Sequence, residues 1–323
     1  MKTGFYGKAV KKGTVLLLAI GLMMACGGGD GGGGGGGGGG PGGTGGGGGL
    51  VQDNTVYTFT SIPEMKTALL AKAENTVANP YKVKLIVSDV SQFSANFADR
   101  GQTRKRYFEL DLTECSLTVI PAGAFQDCTG ITKAMLPDGI KTVKKNAFNY
   151  CINMTTWPMP LYVQEYEGGV FYDCWKLQNI SLPAAMSDMT KTGEGASTNF
   201  SLINDGPLFG NCKSLKTVTI SIYQKVIYGF QGCTSLNNVV IPANVNTVAD
   251  WCFKDCTNLT KVTFERAGID ISNGGGFPFG TSLYQEYKKT TAEGGAGTYT
   301  RFRNSNYEYE GGDEWNWRKT ASL

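Results

Sequence analysis

Hydrophobic residues recur along the middle of this chain at fixed distances from a repeated cysteine. Counted from each cysteine, apolar side chains return three, six, eight, twelve and fifteen positions later, and a phenylalanine closes the turn. One turn consists of Cys233, Leu236, Val239, Ile241, Pro242, Val245, Val248 and Phe253. A repeat of this length predicts a solenoid, because a single turn cannot bury its apolar residues alone whereas stacked turns bury them as one continuous core.

A phenylalanine followed three residues later by a cysteine marks each turn. The six pairs are Phe125/Cys128, Phe148/Cys151, Phe171/Cys174, Phe209/Cys212, Phe230/Cys233 and Phe253/Cys256. The intervals between the phenylalanines are 23, 23, 38, 21 and 23 residues, so one turn carries an insertion of 15 and one a deletion of two. The insertion, residues 190–204, is expected to loop out of the stack. Phe277 comes one residue late and lacks its cysteine, so we expect the solenoid to end there.

Each turn is expected to contribute one short strand to a concave sheet, starting with the segment from Arg106 to Leu112. The apolar residues six and eight positions after the cysteine alternate with outward positions, and a proline usually follows, which cannot donate a ladder hydrogen bond. The outward positions form the candidate binding face, because solenoids use such surfaces for macromolecules. They are Glu109, Asp111, Lys133, Met135, Thr156, Pro158, Asn179, Ser181, Thr217, Thr219, Asn238, Val240, Lys261 and Thr263.

The motif Cys-x-x-Leu-x-x-Val-x-Ile-Pro, followed by Val-x-x-Val and Ala-Phe-x-x-Cys, resembles the BspA-like leucine-rich repeats of bacterial surface proteins. The resemblance covers about Tyr107 to Phe279, and Ala124-Phe125 and Ala147-Phe148 keep the Ala-Phe pair. It implies an α/β fold, a curved leucine-rich-repeat solenoid of about seven turns of roughly 23 residues within residues 107–280. It also implies export and, for several members, binding to host matrix proteins or other cells, with no shared catalytic motif.

Residues 50–106 predict a small α/β N-terminal cap, since an uncovered end of the solenoid would expose its core. Ser61-Ile62-Pro63-Glu64 combines an N-cap, a first-turn proline and a capping-box glutamate, which predicts a helix from Ile62 to Glu74. A strand is expected over Tyr81–Val87 and a short helix around Phe93–Phe97.

Residues 281–323 predict a C-terminal cap made of a helix and a β-hairpin. The helix is expected over Ser282–Thr290, and the strands over Gly294–Arg301 and Glu314–Lys319. The aromatic residues of this tail are either a platform for sugars or the core of the cap, and the cap is favoured because exposed aromatics need a patch to indicate binding. These residues are Tyr299, Tyr307, Tyr309, Trp315 and Trp317.

The N-terminus predicts export. Four lysines precede an apolar run from Val15 to Ala25, which is too short to span a membrane and has the size of a signal-peptide core. Met23-Met24-Ala25-Cys26 looks like a lipobox, so residues 1–25 are a predicted lipoprotein signal peptide and Cys26 the predicted lipidation site. The alternative is an ordinary cleaved signal peptide with an incidental cysteine.

Residues 26–49 are predicted to be a flexible tether. Twenty of the 23 residues after Cys26 are glycine, and a glycine-rich chain of this length has a root-mean-square reach of roughly 25 to 30 Å. Such a tether would hold the folded part away from a membrane. The predicted location is the bacterial cell envelope, with the lipid on Cys26 in the outer membrane and the protein exposed at the surface.

Charge and composition exclude several functions. The chain has 30 Lys and Arg against 27 Asp and Glu, but four lysines lie in residues 1–25, so the mature chain carries 26 against 27. The repeats contain no basic stripe, so no nucleic-acid partner is expected. The chain has no histidine, which excludes Ser-His-Asp and Cys-His catalysis. A metal site and a cofactor are not expected either.

The six repeated cysteines are expected to stack as core thiols, with a disulfide between neighbouring turns as the alternative. Glu109 and Asp111 are expected to be a charged pair on a solvated face and not a catalytic pair.

The predicted function is therefore that of a non-catalytic, lipid-anchored surface protein that binds a macromolecule, such as a matrix protein, another cell or a glycan, through its concave face. The alternative is a structural component of the envelope without an extracellular ligand.

Overall fold

The computed structural model describes residues 55–100, 105–157, 163–182, 207–271, 278–290, 295–303 and 315–321. Several predicted features lie outside these residues and remain predictions. They are the signal peptide, Cys26, the tether, Pro158, the 190–204 insertion, Phe277, Tyr307 and Tyr309.

The N-terminal segment contains a short helix between two parallel strands. The elements are β1 (Val56–Phe59), α1 (Ile62–Ala71), β2 (Tyr81–Leu85), α2 (Phe93–Phe97) and β3 (Phe108–Asp111). Helix α1 begins at the predicted residue but ends three residues early, because Asn75 is held elsewhere. Its side chain donates to the Tyr107 carbonyl over 2.8 Å and accepts the Tyr107 amide over 2.7 Å. The predicted capping by the Ser61 side chain is wrong, since that side chain makes no cap hydrogen bond.

A row of parallel strands, most turns contributing one, runs along one side of the solenoid; the described part of the turn after Cys151 contributes only a bridge from Thr156 to Lys133. After β3 the strands of this row are β5 (Ile131–Met135), β8 (Asn179–Ser181), β9 (Thr217–Thr219), β11 (Asn238–Ile241) and β13 (Lys261–Phe264). Strands β1, β2, β3 and β5 pair in that order. In addition, β8 pairs with β9, and β11 pairs with β13. Leu110 and Leu112 are buried on the inner side, as the alternation predicted, while the residues between buried positions face outward.

A second row of very short parallel strands runs beside the first, and the apolar pattern did not show it. Its members are β4 (Val119–Ile120), β6 (Thr142–Val143), β7 (Glu165–Tyr166), β10 (Val226–Ile227) and β12 (Thr247–Val248). Strands β4, β6 and β7 pair in sequence, and β10 pairs with β12. The two rows form walls with the core between them, in a β-solenoid of about seven turns.

The repeated phenylalanines stack ring on ring through this core. The Phe125 and Phe148 ring centroids lie 4.8 Å apart with planes 10° from parallel, and Phe171 and Phe209 lie 5.3 Å apart at 3°. The stack ends with Phe279, whose ring lies 4.9 Å from that of Phe253. Phe277, where the repeat was expected to end, lies outside the described residues.

The cysteines form a hydrogen-bonded ladder beside the phenylalanines. All eight cysteines after Cys26 are free and buried, so the expectation of core thiols is confirmed and the disulfide alternative is not present. Each ladder thiol from the second turn onward donates to the phenylalanine carbonyl of the preceding turn. The pairs are Cys151 to Phe125 (3.2 Å), Cys174 to Phe148 (3.3 Å), Cys212 to Phe171 (3.3 Å), Cys233 to Phe209 (3.3 Å) and Cys256 to Phe230 (3.1 Å).

The C-terminal segment covers the end of the core and extends the sheet. It consists of α3 (Thr281–Thr290), β14 (Gly297–Arg303) and β15 (Trp315–Ala321), and β14 pairs antiparallel with both β13 and β15. Tyr299 is fully buried and Trp317 is 6% exposed, so these two rings belong to a cap, and the sugar platform is wrong for them. None of the described helices is long and apolar enough to cross a membrane.

Candidate binding face

The outward side of the strands, here called the strand face, holds the positions that the sequence singled out. The alternation along each strand buries the flanking residues, so these positions share one surface. Every one of them that the structure describes is exposed or half-buried. The pairing register places Glu109 beside Lys133, Asn179 beside Thr217, and Asn238 beside Lys261.

The N-terminal part of the strand face is charged but internally balanced. Glu109 lies between Lys82 of β2 and Lys133 of β5 in the pairing register. The Lys84 Nζ lies 2.7 Å from the Glu114 Oε1 and 4.0 Å from the Asp111 Oδ2. The hydrogen bond to Glu114 raises the pKa of the Lys84 ammonium above its ordinary value.

The carboxylate of Asp111 serves its own backbone turn. Its Oδ1 accepts the Thr113 amide over 2.9 Å and the Thr113 hydroxyl over 2.6 Å. A carboxylate held by a local turn and facing a lysine stabilises the strand end. This arrangement agrees with the expectation that Glu109 and Asp111 are a charged pair on a solvated surface.

The middle of the strand face is small, polar and uncharged. Asn179 and Thr217 join neighbouring turns through a hydrogen bond of 2.6 Å from the Thr217 hydroxyl to the Asn179 Oδ1. Thr156, Ser181 and Thr219 are exposed around them. These side chains offer both donors and acceptors to a ligand.

Two strands of the C-terminal cap add residues to this face that the sequence analysis missed. Thr298 of β14 pairs with Thr263, and their hydroxyls lie 3.0 Å apart. Thr300 lies opposite Lys261 in the register, and its hydroxyl is 2.9 Å from that of Thr320. The sequence signal for these residues is the alternation Thr298-Tyr299-Thr300, in which a buried tyrosine leaves the two threonines facing outward.

One cleft of about 370 Å³, open to solvent, lies away from the strand face in the N-terminal cap. Leu69, Phe97 and Phe108 form its apolar lining, and Arg106 lies at its rim. The Arg106 guanidinium is engaged in the structure, since its Nε donates to the Lys72 carbonyl over 2.8 Å and its Nη1 lies 3.5 Å from the Glu74 Oε1. Across the described part of the chain, no cluster of three or more potential metal ligands occurs.

The parallel strand ladder, the phenylalanine stack and the cysteine ladder define a leucine-rich-repeat solenoid. The family model described as BspA type leucine rich repeat region matches residues 107–205 and 197–275, with six copies, which is more than half of the chain. The chain therefore belongs to the BspA-type leucine-rich repeat family. No curated protein matches the sequence at a significant level.

Solved structures of bacterial leucine-rich repeat proteins are similar to parts of this chain. A leucine rich cell surface protein from Faecalibacterium prausnitzii matches 57% of this chain and 43% of its own, with 21% identity and a TM-score of 0.41. A leucine-rich repeat protein from Bacteroides ovatus matches 46% of this chain and 41% of its own, with 24% identity and a TM-score of 0.33. The leucine-rich repeat protein of T. pallidum matches 65% of this chain and 77% of its own, with 19% identity and a TM-score of 0.33. The match thus spans less than half the length of the first two proteins.

Proposed function

We propose that this protein is a non-catalytic, lipid-anchored protein of the bacterial cell surface that binds a macromolecule through its strand face. The observation that carries the proposal is the uncharged polar surface around Asn179 and Thr217, which continues across neighbouring turns. Its side chains are held by the strands beneath them, so little conformational entropy is lost when a ligand binds.

The chemistry of the strand face favours a protein or a glycan over a polyanion. The lysines of its N-terminal part lie next to carboxylates, so no strip of unbalanced positive charge runs along the strands. A polyanion ligand needs such a strip to displace its counterions. A neutral or mixed ligand needs donors and acceptors, which the threonine and asparagine side chains supply.

The anchoring part of the proposal rests on the sequence of the N-terminus. Lipidation at Cys26 followed by the glycine-rich segment 26–49 would place the solenoid outside the membrane while letting it reorient. Membership of a family of surface repeat proteins supports the same location. Labelling cells with a radioactive fatty acid tests the anchor: label on the wild-type chain and none on Cys26→Ser is the expected result.

A charge-insertion experiment tests the strand face. The variant combines Asn179→Arg, Thr217→Arg and Asn238→Arg, and binding is measured to immobilised extracellular-matrix proteins and mucin glycans. Its control places three arginines on exposed positions outside the strand face, Ser116→Arg, Thr118→Arg and Gln164→Arg. Binding is expected to fall at least about tenfold in the first variant only, because bulky charges must be desolvated in the interface. Equal binding by both variants would place the site elsewhere.

A structural role in the envelope without an extracellular ligand is the competing function. Protease treatment of intact cells separates the two, because a surface-binding protein must be accessible from outside. Degradation of the solenoid on intact cells is expected. Complete protection, with degradation only after the envelope is opened, would contradict the proposal.

A further inference from the structure

Left-handed backbone conformations occur at fixed points of each turn. Seven described residues other than glycine have a φ between 56° and 61°. This region is disfavoured for L-residues, and Asp and Asn tolerate it best because their short side chains bond locally. Five of the seven are Asp or Asn, and two are aromatic. The set is Asp127, Asn146, Tyr150, Asp173, Asn211, Trp251 and Asp255.

Packing accounts for the first of the two aromatic exceptions. The Tyr150 ring makes an edge-to-face contact with Trp175 at 5.4 Å between centroids. The guanidinium carbon of Arg100 lies 5.8 Å from the Tyr150 ring centroid. Contacts of this kind offset the cost of the disfavoured backbone conformation.

Trp251 has a cation contact of the same kind but lacks an aromatic neighbour among the described residues. This residue lies five positions before its ladder cysteine, where three earlier turns have Gly123, Asn146 and Gly169, all with positive φ. It is 47% exposed, and no described aromatic ring contacts it. The Lys254 ammonium lies 4.3 Å from its ring centroid. Disfavoured backbone conformations cluster at functional sites, and here such a conformation holds an exposed aromatic ring.

The local backbone explains why the Trp251 ring is open on the side of the preceding turn. Ile227 pairs with Val248, and the Phe230 amide donates to the Cys252 carbonyl over 2.9 Å. The earlier turn has only residues 228–229 between Ile227 and Phe230, whereas the later turn has residues 249–252 between Val248 and Phe253. The two-residue deletion seen in the sequence therefore removes the part of the earlier turn that would lie beside Trp251.

We propose that Trp251 is a stacking platform for a sugar ring of a neutral glycan. A pyranose has an apolar C–H face that matches an indole surface, and hydroxyls around its rim that need donors and acceptors. Lys254, over the ring, supplies a donor, and the exposed Asp255, which follows Lys254 in the chain, supplies an acceptor. Their opposite charges balance, which favours a neutral ligand. The site lies outside the strand face and does not depend on binding there.

Substitution of Trp251 by glycine separates stability from binding. Residues 51–323 form one compact unit, so this chain is used, with affinity electrophoresis in soluble xyloglucan, galactomannan, dextran and polygalacturonate. For Trp251→Gly the melting temperature is expected to rise by about 2 °C or more, because glycine adopts a positive φ without strain. Retardation by at least one neutral polysaccharide is expected for the wild type and is expected to weaken at least about tenfold in the variant.

Tyr150→Gly is the matched control. It removes the other aromatic ring with a positive φ, so it should leave polysaccharide binding unchanged while losing the contact with Trp175. Trp251→Tyr should retain part of the binding, since it keeps an aromatic face. The proposal is overturned if no neutral polysaccharide retards the wild type, if only polygalacturonate does, or if Trp251→Gly binds as well as the wild type. A ligand of Trp251 that proves to be a protein alone would also overturn it.

Discussion

The thiol of Cys174 donates a hydrogen bond of 3.3 Å to the carbonyl oxygen of Phe148, one turn earlier in the solenoid. Both side chains are fully buried. The phenylalanine amides bond in the other direction along the stack, since the Phe148 amide donates to the Val170 carbonyl over 2.9 Å. The Phe-x-x-Cys motif thus supplies both a packed ring and a second donor to a buried carbonyl, which also accepts the Cys151 amide over 3.2 Å.

Replacing Cys174 by alanine is expected to destabilise the protein by about 2 to 3 kcal/mol. The change leaves the Phe148 carbonyl without its thiol donor and opens a small cavity. Cys128 is the control, because it is equally buried but its thiol donates only a longer hydrogen bond of 3.6 Å, to the Gln126 carbonyl of its own turn. Urea unfolding should show Cys128→Ala to be less destabilising by about 1 kcal/mol. Equal losses would mean that the ladder bond adds nothing to packing.

The stability of the protein is expected to fall at alkaline pH. Burial raises the pKa of the Cys174 thiol above its ordinary value of 9.0, and it does the same for Cys151 and Cys212. A group with a raised pKa in the folded state contributes its full stability below the unfolded pKa and loses it as the pH rises above that value. The free energy of unfolding should therefore be level up to about pH 8 and decline above about pH 9.

A serine variant tests whether the buried thiols cause this loss of stability at alkaline pH. Cys174→Ser removes one ionising group but keeps a hydroxyl donor, so above the ordinary thiol pKa the decline should be shallower by about 1.4 kcal/mol per pH unit. The measurement is urea unfolding at a series of pH values. An unchanged slope would show that other groups cause the alkaline loss.

Removing one ring from the phenylalanine stack is expected to be severe. The Phe148 ring lies 4.8 Å from Phe125, 5.9 Å from Phe171 and 4.7 Å from Trp157. Phe148→Ala should therefore cost about 3 to 5 kcal/mol, through lost burial and the cavity left behind. Phe97 of the N-terminal cap is only partly buried, so Phe97→Ala should cost about half as much in the same urea titration. A larger loss for Phe97 would contradict the view that the stack holds the solenoid together.

The repeat pattern predicted the core and the outward face correctly because one register recurs in every turn. Each of the six phenylalanines and each of the six cysteines of the motif is buried, and alternation placed Asn179 and Thr217 on the surface. The second row of strands was missed because strands of two residues, such as Thr142–Val143, are too short to show any alternation. The exposure of Trp251 was missed because it depends on the length of a neighbouring turn.

The sequence by itself determined the register of the solenoid, because spacing along the chain decides which side chains point into the core in every regular turn. Only the tertiary structure decided what happens where the repeat breaks. It stacked Phe279 on Phe253 at the end of the core and placed Thr298 of the cap beside Thr263. These contacts join segments whose separation follows no period, so local pattern carries no record of them.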